Sequence, residues 1–233
     1  NKRDLLDAFF GFYGLREIDG RTYGFFGAVE LTRNHRRDYE FNHGRPLLYR
    51  VDFEDFSYKR IAFAARTGHD NHWVVDRNGE VAATFDINDE SGYWTIKNAR
   101  NKAIVSGRSK LGRGGLIGLS KGGNSLIYSQ ANEDGSRTSY EVPLSGGEPK
   151  PFLPGVDVER LYFDRMTGEL SGYMEEGSEP RPVFDDERKA QAISKTEAAF
   201  ASHNMSIIDW SDDFSSVVVR TTGQMDSGTW FTV

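Results

Sequence analysis

The sequence predicts an all-β chain, a β-propeller of about five four-stranded antiparallel blades with the last one incomplete and one helix inserted near residues 186–202. Three observations carry that expectation. A hairpin pattern recurs at a nearly constant interval, an apolar-aromatic segment follows each hairpin at a nearly constant distance, and the composition is that of strands and tight turns. Aromatic residues make up 13% of the 233 residues, with 25 Gly against 7 Pro. Aromatic side chains favour the pleated sheet, and glycine favours tight reversals.

Four segments align: Trp73 to Phe85, Ile117 to Ser129, Leu161 to Tyr173 and Ile208 to Arg220. Each reads as an apolar run, an Asp or Ser, a short polar turn and a second apolar run. The anchors Asp76, Ser120, Asp164 and Ser211 stand 44, 44 and 47 residues apart. An interval of roughly 40–50 residues with several short strands per unit is the signature of a propeller. An Asp or Ser at a strand end accepts hydrogen bonds from backbone N–H groups two residues on, which closes the reversal. Trp94, Tyr140, Phe184 and Trp230 follow their anchors by 18, 20, 20 and 19 residues and predict a third strand in each unit. Fourth strands are expected at Ala103 to Ser106 and Pro151 to Leu153.

The N-terminal region fits the same unit with one insertion. Phe9 to Ile18 and Thr22 to Leu31 flank Asp19-Gly20, a two-residue hairpin signal. Pro46 to Phe53 reads as the third strand and Tyr58 to Phe63 as the fourth, with the polar stretch Asn34 to Gly44 lengthening the loop before the third. The expected blades are 5–66, 72–110, 115–154, 158–203 and 206–233. Asp186 to Ser202 breaks the pattern: it is rich in Ala, Glu, Lys and Gln, all good helix formers, and Asp185 or Asp186 can cap it. Ala190, Ile193, Glu197 and Phe200 fall on one side, so the apolar stripe is narrow, and an amphipathic helix is expected between strands of the fourth blade.

Charge and composition exclude several classes. With 29 Lys+Arg against 35 Asp+Glu and a formal net charge of −6, the chain lacks the basic excess of a nucleic-acid binder. Arg33, His35, Arg36 and Arg37 are the dense basic stretch, read as a solvated loop. Without cysteine, neither a disulfide nor a thiolate zinc site can form. No apolar run approaches the ~18 residues of a membrane span. The expectation is therefore no nucleic acid, no membrane and no cofactor.

Several residues could carry chemistry in principle. Gly118-Leu119-Ser120-Lys121-Gly122 matches the G-x-S-x-G nucleophile elbow, which needs a strand before the Ser and a helix after it. Here Ser125 to Ser129 reads as a strand, and Ser120 occupies the place that Asp76 and Asp164 hold in neighbouring units. A triad of Ser120, Asp164 and His203 would recruit a second repeat anchor and a His just past the helix. His69 and His72 form an i,i+3 pair in His69-Asp70-Asn71-His72, but no Cys or third nearby His supports a metal, and His35 and His43 lie elsewhere. Glu175-Glu176 could hold an amine and reads as a solvated turn. No catalytic, cofactor-binding or metal-binding residue is assigned.

The stretches YGFFGAVELTRN (Tyr23 to Asn34), HGRPLLYRVDF (His43 to Phe53), VFDDERKAQAISKTEAAF (Val183 to Phe200) and IIDWSDDFSSVVVRTTGQMDSGTWFTV (Ile207 to Val233) resemble the N-terminal propeller of the prolyl oligopeptidase family of serine peptidases. They are most similar to its bacterial dipeptidyl-aminopeptidase and acylaminoacyl-peptidase-like branch. The resemblance implies a downstream α/β-hydrolase domain that carries the nucleophile, acid and His, so no catalytic residue transfers to this chain. It implies a propeller that caps the active site and filters peptide substrates. A stand-alone TolB-like propeller that binds a protein partner is the alternative. The fifth unit ends inside or just after its third strand, and its edge, Thr229 to Val233, is expected either to be closed by the N-terminal segment or to pair with a second copy as a homodimer, since unpaired strand edges template association.

Overall fold

The structure is a computed structural model. It describes residues 4–33, 36, 38–41, 43–109, 114–177, 180–211, 213–223 and 226–233. Along the chain run β1 (Asp4–Leu5), β2 (Phe12–Ile18), β3 (Arg21–Ala28), β4 (Glu30–Arg33), β5 (Tyr39–Phe41), β6 (Leu47–Asp52) and β7 (Tyr58–Ala62). Next come β8 (His69–Val75), β9 (Val81–Asn88), β10 (Tyr93–Asn98) and β11 (Ala103–Arg108), then β12 (Gly115–Leu119), β13 (Ser125–Ala131), β14 (Arg137–Pro143) and β15 (Lys150–Pro151). The remainder is β16 (Val158–Phe163), β17 (Leu170–Glu175), β18 (Arg181–Phe184), α1 (Glu187–Ala199), β19 (Asn204–Trp210), β20 (Val217–Gly223) and β21 (Asp226–Thr232).

The fold is all-β with one helix among the described residues. Its strands form six small antiparallel sheets: β2-β3-β6-β7, β8-β9-β10-β11, β12-β13-β14-β15, β16-β17-β18, β19-β20-β21 and a short β1-β4-β5 ribbon. Each of the four aligned segments folds as a hairpin, and Trp94, Tyr140, Phe184 and Trp230 all lie on the third strand of their sheet. At the first hairpin, Ile18 pairs with Arg21. Asp19 and Gly20 both take positive φ, 53° and 75°, the geometry of the tight turn whose twist matches flanking strands.

Two expectations need correction. The fourth sheet has three strands, and α1 follows its third strand, where the earlier sheets place a fourth. No strand lies between Phe184 and Asn204 among the described residues. Asp186 caps α1, its carboxylate accepting from the Lys189 N–H at 3.0 Å, and a run rich in Ala, Glu and Lys started by such a cap outcompetes strand formation. The stretch at 34–44 is more than a loop, because Tyr39–Phe41 returns antiparallel on Glu30–Arg33, which also pairs with Asp4–Leu5. Its basic cluster is partly accounted for: Arg33 meets Asp4 at 3.3 Å and Tyr39 Oη at 2.5 Å, while His35 and Arg37 lie outside the described residues. The chain divides into two compact units, Asn1–Leu153 with Arg165–Glu169, and Pro154–Asp164 with Leu170–Val233.

In the first unit, alternation along the strands gives the second sheet two working faces. Trp73 and Val75 of β8 pack with Phe25 and Leu48 of the first sheet. On the opposite face Phe85, Ile87, Trp94 and Ile96 pack with Leu119, Leu126, Tyr128 and Val142 of the third. Phe85, Trp94, Tyr128 and Tyr140 form a chain of ring contacts with centroids 5.6, 6.0 and 5.7 Å apart. In the second unit, Ile193 of α1 joins Phe184, Ile207, Val217 and Val219 in a core, with Tyr162, Trp210 and Phe214 against it.

Candidate functional site

The turns between first and second strands carry the sequence anchors, and three of them meet within the first unit: 76–80, 120–124 and 165–169. Asp76 performs its expected role, accepting from the N–H groups of Asn78 and Glu80 at 2.9 Å each. Arg16, on β2, is 4% exposed and donates to the carbonyls of Leu15, Val75 and Asp76. Gly168 lies so close that a β-carbon there would collide with the Arg16 guanidinium. Glu169 is buried and receives Arg77 Nε at 2.8 Å and Nη2 at 2.6 Å. Its backbone bridges to Leu119, and a β-carbon at Gly123 would stand 2.9 Å from its Oε1.

This arrangement neutralises a buried carboxylate with a fork-shaped cation and spends the Arg16 donors on carbonyls, as buried charge requires. It fixes three turns against one another while leaving Arg77 half-exposed and Lys121 exposed at the rim. Among the described residues the junction holds no activated nucleophile.

Ser120 shows why. Its N–H donates to the Ser125 carbonyl and its carbonyl accepts from the Gly123 N–H, both at 3.0 Å. β13 follows, not the helix an elbow needs. No hydrogen bond from its hydroxyl is formed among the described residues, so the side chain does not cap the turn as Asp76 does. At the last anchor, Ser211 does cap, accepting from the Ser216 N–H at 3.0 Å and donating to Asp213 at 2.8 Å. Asp164 follows β16 in the second unit, and His203, also there, sits beside Ser202 with Nδ1 3.1 Å from its hydroxyl.

The His69/His72 pair falls on one strand, where residues three apart point to opposite faces. His69 is buried and His72 exposed, so the two cannot share an ion. No group of three ligand-type side chains comes together among the described residues. His43 is half-buried, and Glu175 and Glu176 are exposed at the end of β17.

Sequence reasoning missed two features. His69 Nδ1 lies 2.5 Å from Asp86, which also receives Lys97 Nζ at 2.8 Å, and His69 Nε2 lies 3.1 Å from Asn88 Nδ2. Burial alone raises the Asp86 carboxyl, but the hydrogen bonds from Lys97 and His69 outweigh it and hold it below its ordinary value. The partners come from three strands, so no local motif announces them. The second is an aromatic surface on the first sheet: Phe9, Phe12 and Phe53 are 76%, 61% and 41% exposed around a half-buried Phe26. The doublet Phe25-Phe26, which puts an aromatic ring on each face of β3, was the available signal.

No family model matches the chain, and no curated protein matches it. Among solved structures, the fission yeast complex of the SREBP and SCAP binding domains is similar at a TM-score of 0.32 and 8% identity, over 100% of this chain and 73% of that one. At that TM-score the likeness carries no argument about fold or function.

Proposed function

We propose that this chain is the non-catalytic β-propeller region of a prolyl-oligopeptidase-like serine peptidase, gating peptide access to an α/β-hydrolase domain. One observation carries the propeller reading: the hairpin units of the repeat fold as separate meander sheets in chain order, and the first-to-second-strand turns of three units converge on Arg16 and Glu169. Convergence of equivalent turns is what radial repetition of a four-stranded unit produces. The peptidase assignment rests on the four resembling stretches, and peptides are the substrates it implies.

A second reading, a TolB-like propeller that binds a protein partner, is favoured by the exposed phenylalanine surface, since such patches mark interaction sites. Fluorophosphonate labelling of the natural gene product, followed by peptide mapping, separates the two. The gating reading expects a labelled serine that lies outside these 233 residues and none within them. The absence of any labelled serine favours the binding module. Label on Ser120, abolished by Ser120→Ala, would overturn both, because an unactivated hydroxyl does not react.

A further inference from the structure

One face of the first sheet packs on the second sheet through Phe25 and Leu48. The opposite face is covered at one end and open at the other. At the covered end Ala28, Leu47 and Tyr49 are buried, with Leu5 and Ala64 against them. At the open end Phe26, turned away from Phe25 by strand alternation, pairs across the sheet with Phe12. The ring of Phe9 lies 4.8 Å from that of Phe26, Phe12 lies 5.3 Å away, and Phe53 lies 6.4 Å away at 30°. Gly24 makes room for them: a β-carbon there would stand 2.5 Å from Phe26 Cε2 and 2.8 Å from Phe53 Cε1, so both rings close over bare backbone. Phe9, Phe12 and Phe53 are 76%, 61% and 41% exposed. Because the rings touch Phe26, they form a small tilted platform rather than a cleft that encloses a small molecule.

The open end is acidic. Arg21 is shared by Asp52 at 2.7 Å, Asp55 at 3.2 Å and Glu54 at 3.4 Å, three carboxylates against one guanidinium. Glu54 and Asp55 directly follow Phe53 and are exposed. Glu17 is also exposed. It pairs with Thr22, two residues along from the Leu15–Gly24 pair, so alternation puts it on the same face as Phe26. Asp19 adds another carboxylate in the adjoining turn. Arg16, the other cation of this hairpin, is buried with its donors spent on carbonyls. The platform therefore stands beside an excess of negative charge, which opposes a second copy of itself and attracts a cation.

We infer that this open end docks a short extended peptide in which aromatic residues alternate with Lys or Arg. The inference rests on the binding-module reading and names the partner's chemistry; serine labelling decides between the two readings of the chain, while the titration below reads this face by itself. At 150–250 Å² per aromatic side chain, the three exposed rings offer roughly 350 Å². That is under half of the ~800 Å² per partner of a standard complex between folded proteins, and it suits two or three side chains of a peptide. An extended chain sets alternate side chains on one side roughly 7 Å apart, close to the ring spacing of the platform. Peptide rings stack on Phe9, Phe12 and Phe53, and the intervening or flanking cations reach Glu17, Glu54 and Asp55, or lie over a phenylalanine face. So small a contact with rim charges in solvent binds weakly, with a Kd of roughly 10–100 μM, and loses strength as salt screens the carboxylates.

The test is fluorescence anisotropy of the full chain with three fluorescein-labelled octapeptides. The first alternates Phe with Lys and Arg, the second carries Glu at every basic position, and the third carries Gly at every Phe. The first should bind, and the other two should bind at least about tenfold more weakly, the equivalent of ~1.4 kcal/mol. Phe12→Ser with Phe53→Ser should weaken the first peptide at least about tenfold. Glu17→Lys with Glu54→Lys, which changes exposed side chains and leaves the rings in place, should weaken it at least about threefold and flatten its salt dependence. Tyr93→Ser, at a residue 52% exposed in the second sheet, should leave binding unchanged. No binding of the first peptide, equal binding of the charge-reversed one, or binding indifferent to both double variants would each overturn the inference. So would light scattering that shows the peptide-free chain associating through Phe12 and Phe53, since a second copy would then hold the face.

Discussion

Removing Trp94 tests the inter-sheet packing at its most filled point. The indole has no exposed surface and lies between Phe85 and Tyr128, with centroids at 5.6 and 6.0 Å. Truncating such a ring to alanine costs about 3–5 kcal/mol in lost transfer energy and cavity, a large share of the ~5–15 kcal/mol that keeps a domain folded. The same site offers the opposite perturbation. Gly107 faces Trp94 across β10 and β11, and a β-carbon there would stand 2.7 Å from Trp94 Cε2. Gly107→Ala should therefore cost about 1–3 kcal/mol by overpacking. In a Trp94→Phe background the smaller ring yields room, and the cost of Gly107→Ala should fall by at least ~0.5 kcal/mol, the coupling expected of touching residues. Urea unfolding followed by far-ultraviolet circular dichroism reads the parent and all four variants, with an unchanged slope marking a true stability change. A Trp94→Ala chain within ~0.5 kcal/mol of the parent, or strict additivity of the pair, would refute the packing account.

Further expectations follow from single side chains. Asp76→Ala removes two charge-assisted bonds to Asn78 and Glu80 and should cost about 1–3 kcal/mol, whereas Ser120→Ala, which removes no such bonds, should cost less than half as much by the same denaturant measurement. Asp186→Ala should destabilise α1 by about 1 kcal/mol, visible as a lowered urea midpoint. The Asp86 carboxyl, held low by Lys97 and His69 against the burial that raises it, has a folded value below its unfolded one. It contributes stability above the unfolded value, near pH ~4, and that contribution is lost as pH falls through the folded value. Asp86→Asn should therefore flatten the acid limb of a stability–pH profile; an unchanged limb would show that the network does not act as described.

The repeat was legible because its anchors follow local rules. Asp19-Gly20 specifies a tight reversal in any context, and the third-strand aromatics Trp94, Tyr140 and Phe184 fill the cores beside their sheets, whereas Trp230 is 58% exposed. What was not legible depends on contacts far apart in sequence. Ser120 occupies an anchor position yet leaves the capping to backbone groups, because its turn carries two glycines and abuts Glu169 from a later hairpin. The helix was visible in composition, but its replacement of a fourth strand was not, since strand count depends on which edge is left to cover. Arg16 reads in sequence as an ordinary strand residue; only the approach of Asp76 and Gly168 buries it. His69, Asp86 and Lys97 meet because three strands share a face, which no spacing in one strand encodes.

The central claim, that the repeat builds propeller blades, is tested most directly by a crystal structure of the chain. The account predicts that the first three sheets fan about one axis, with β2, β8 and β12 nearest that axis and the turns at 76–80 and 120–124 gathered at one end beside Arg16. Sheets layered as a sandwich, or β7, β11 and β15 lying innermost, would contradict it.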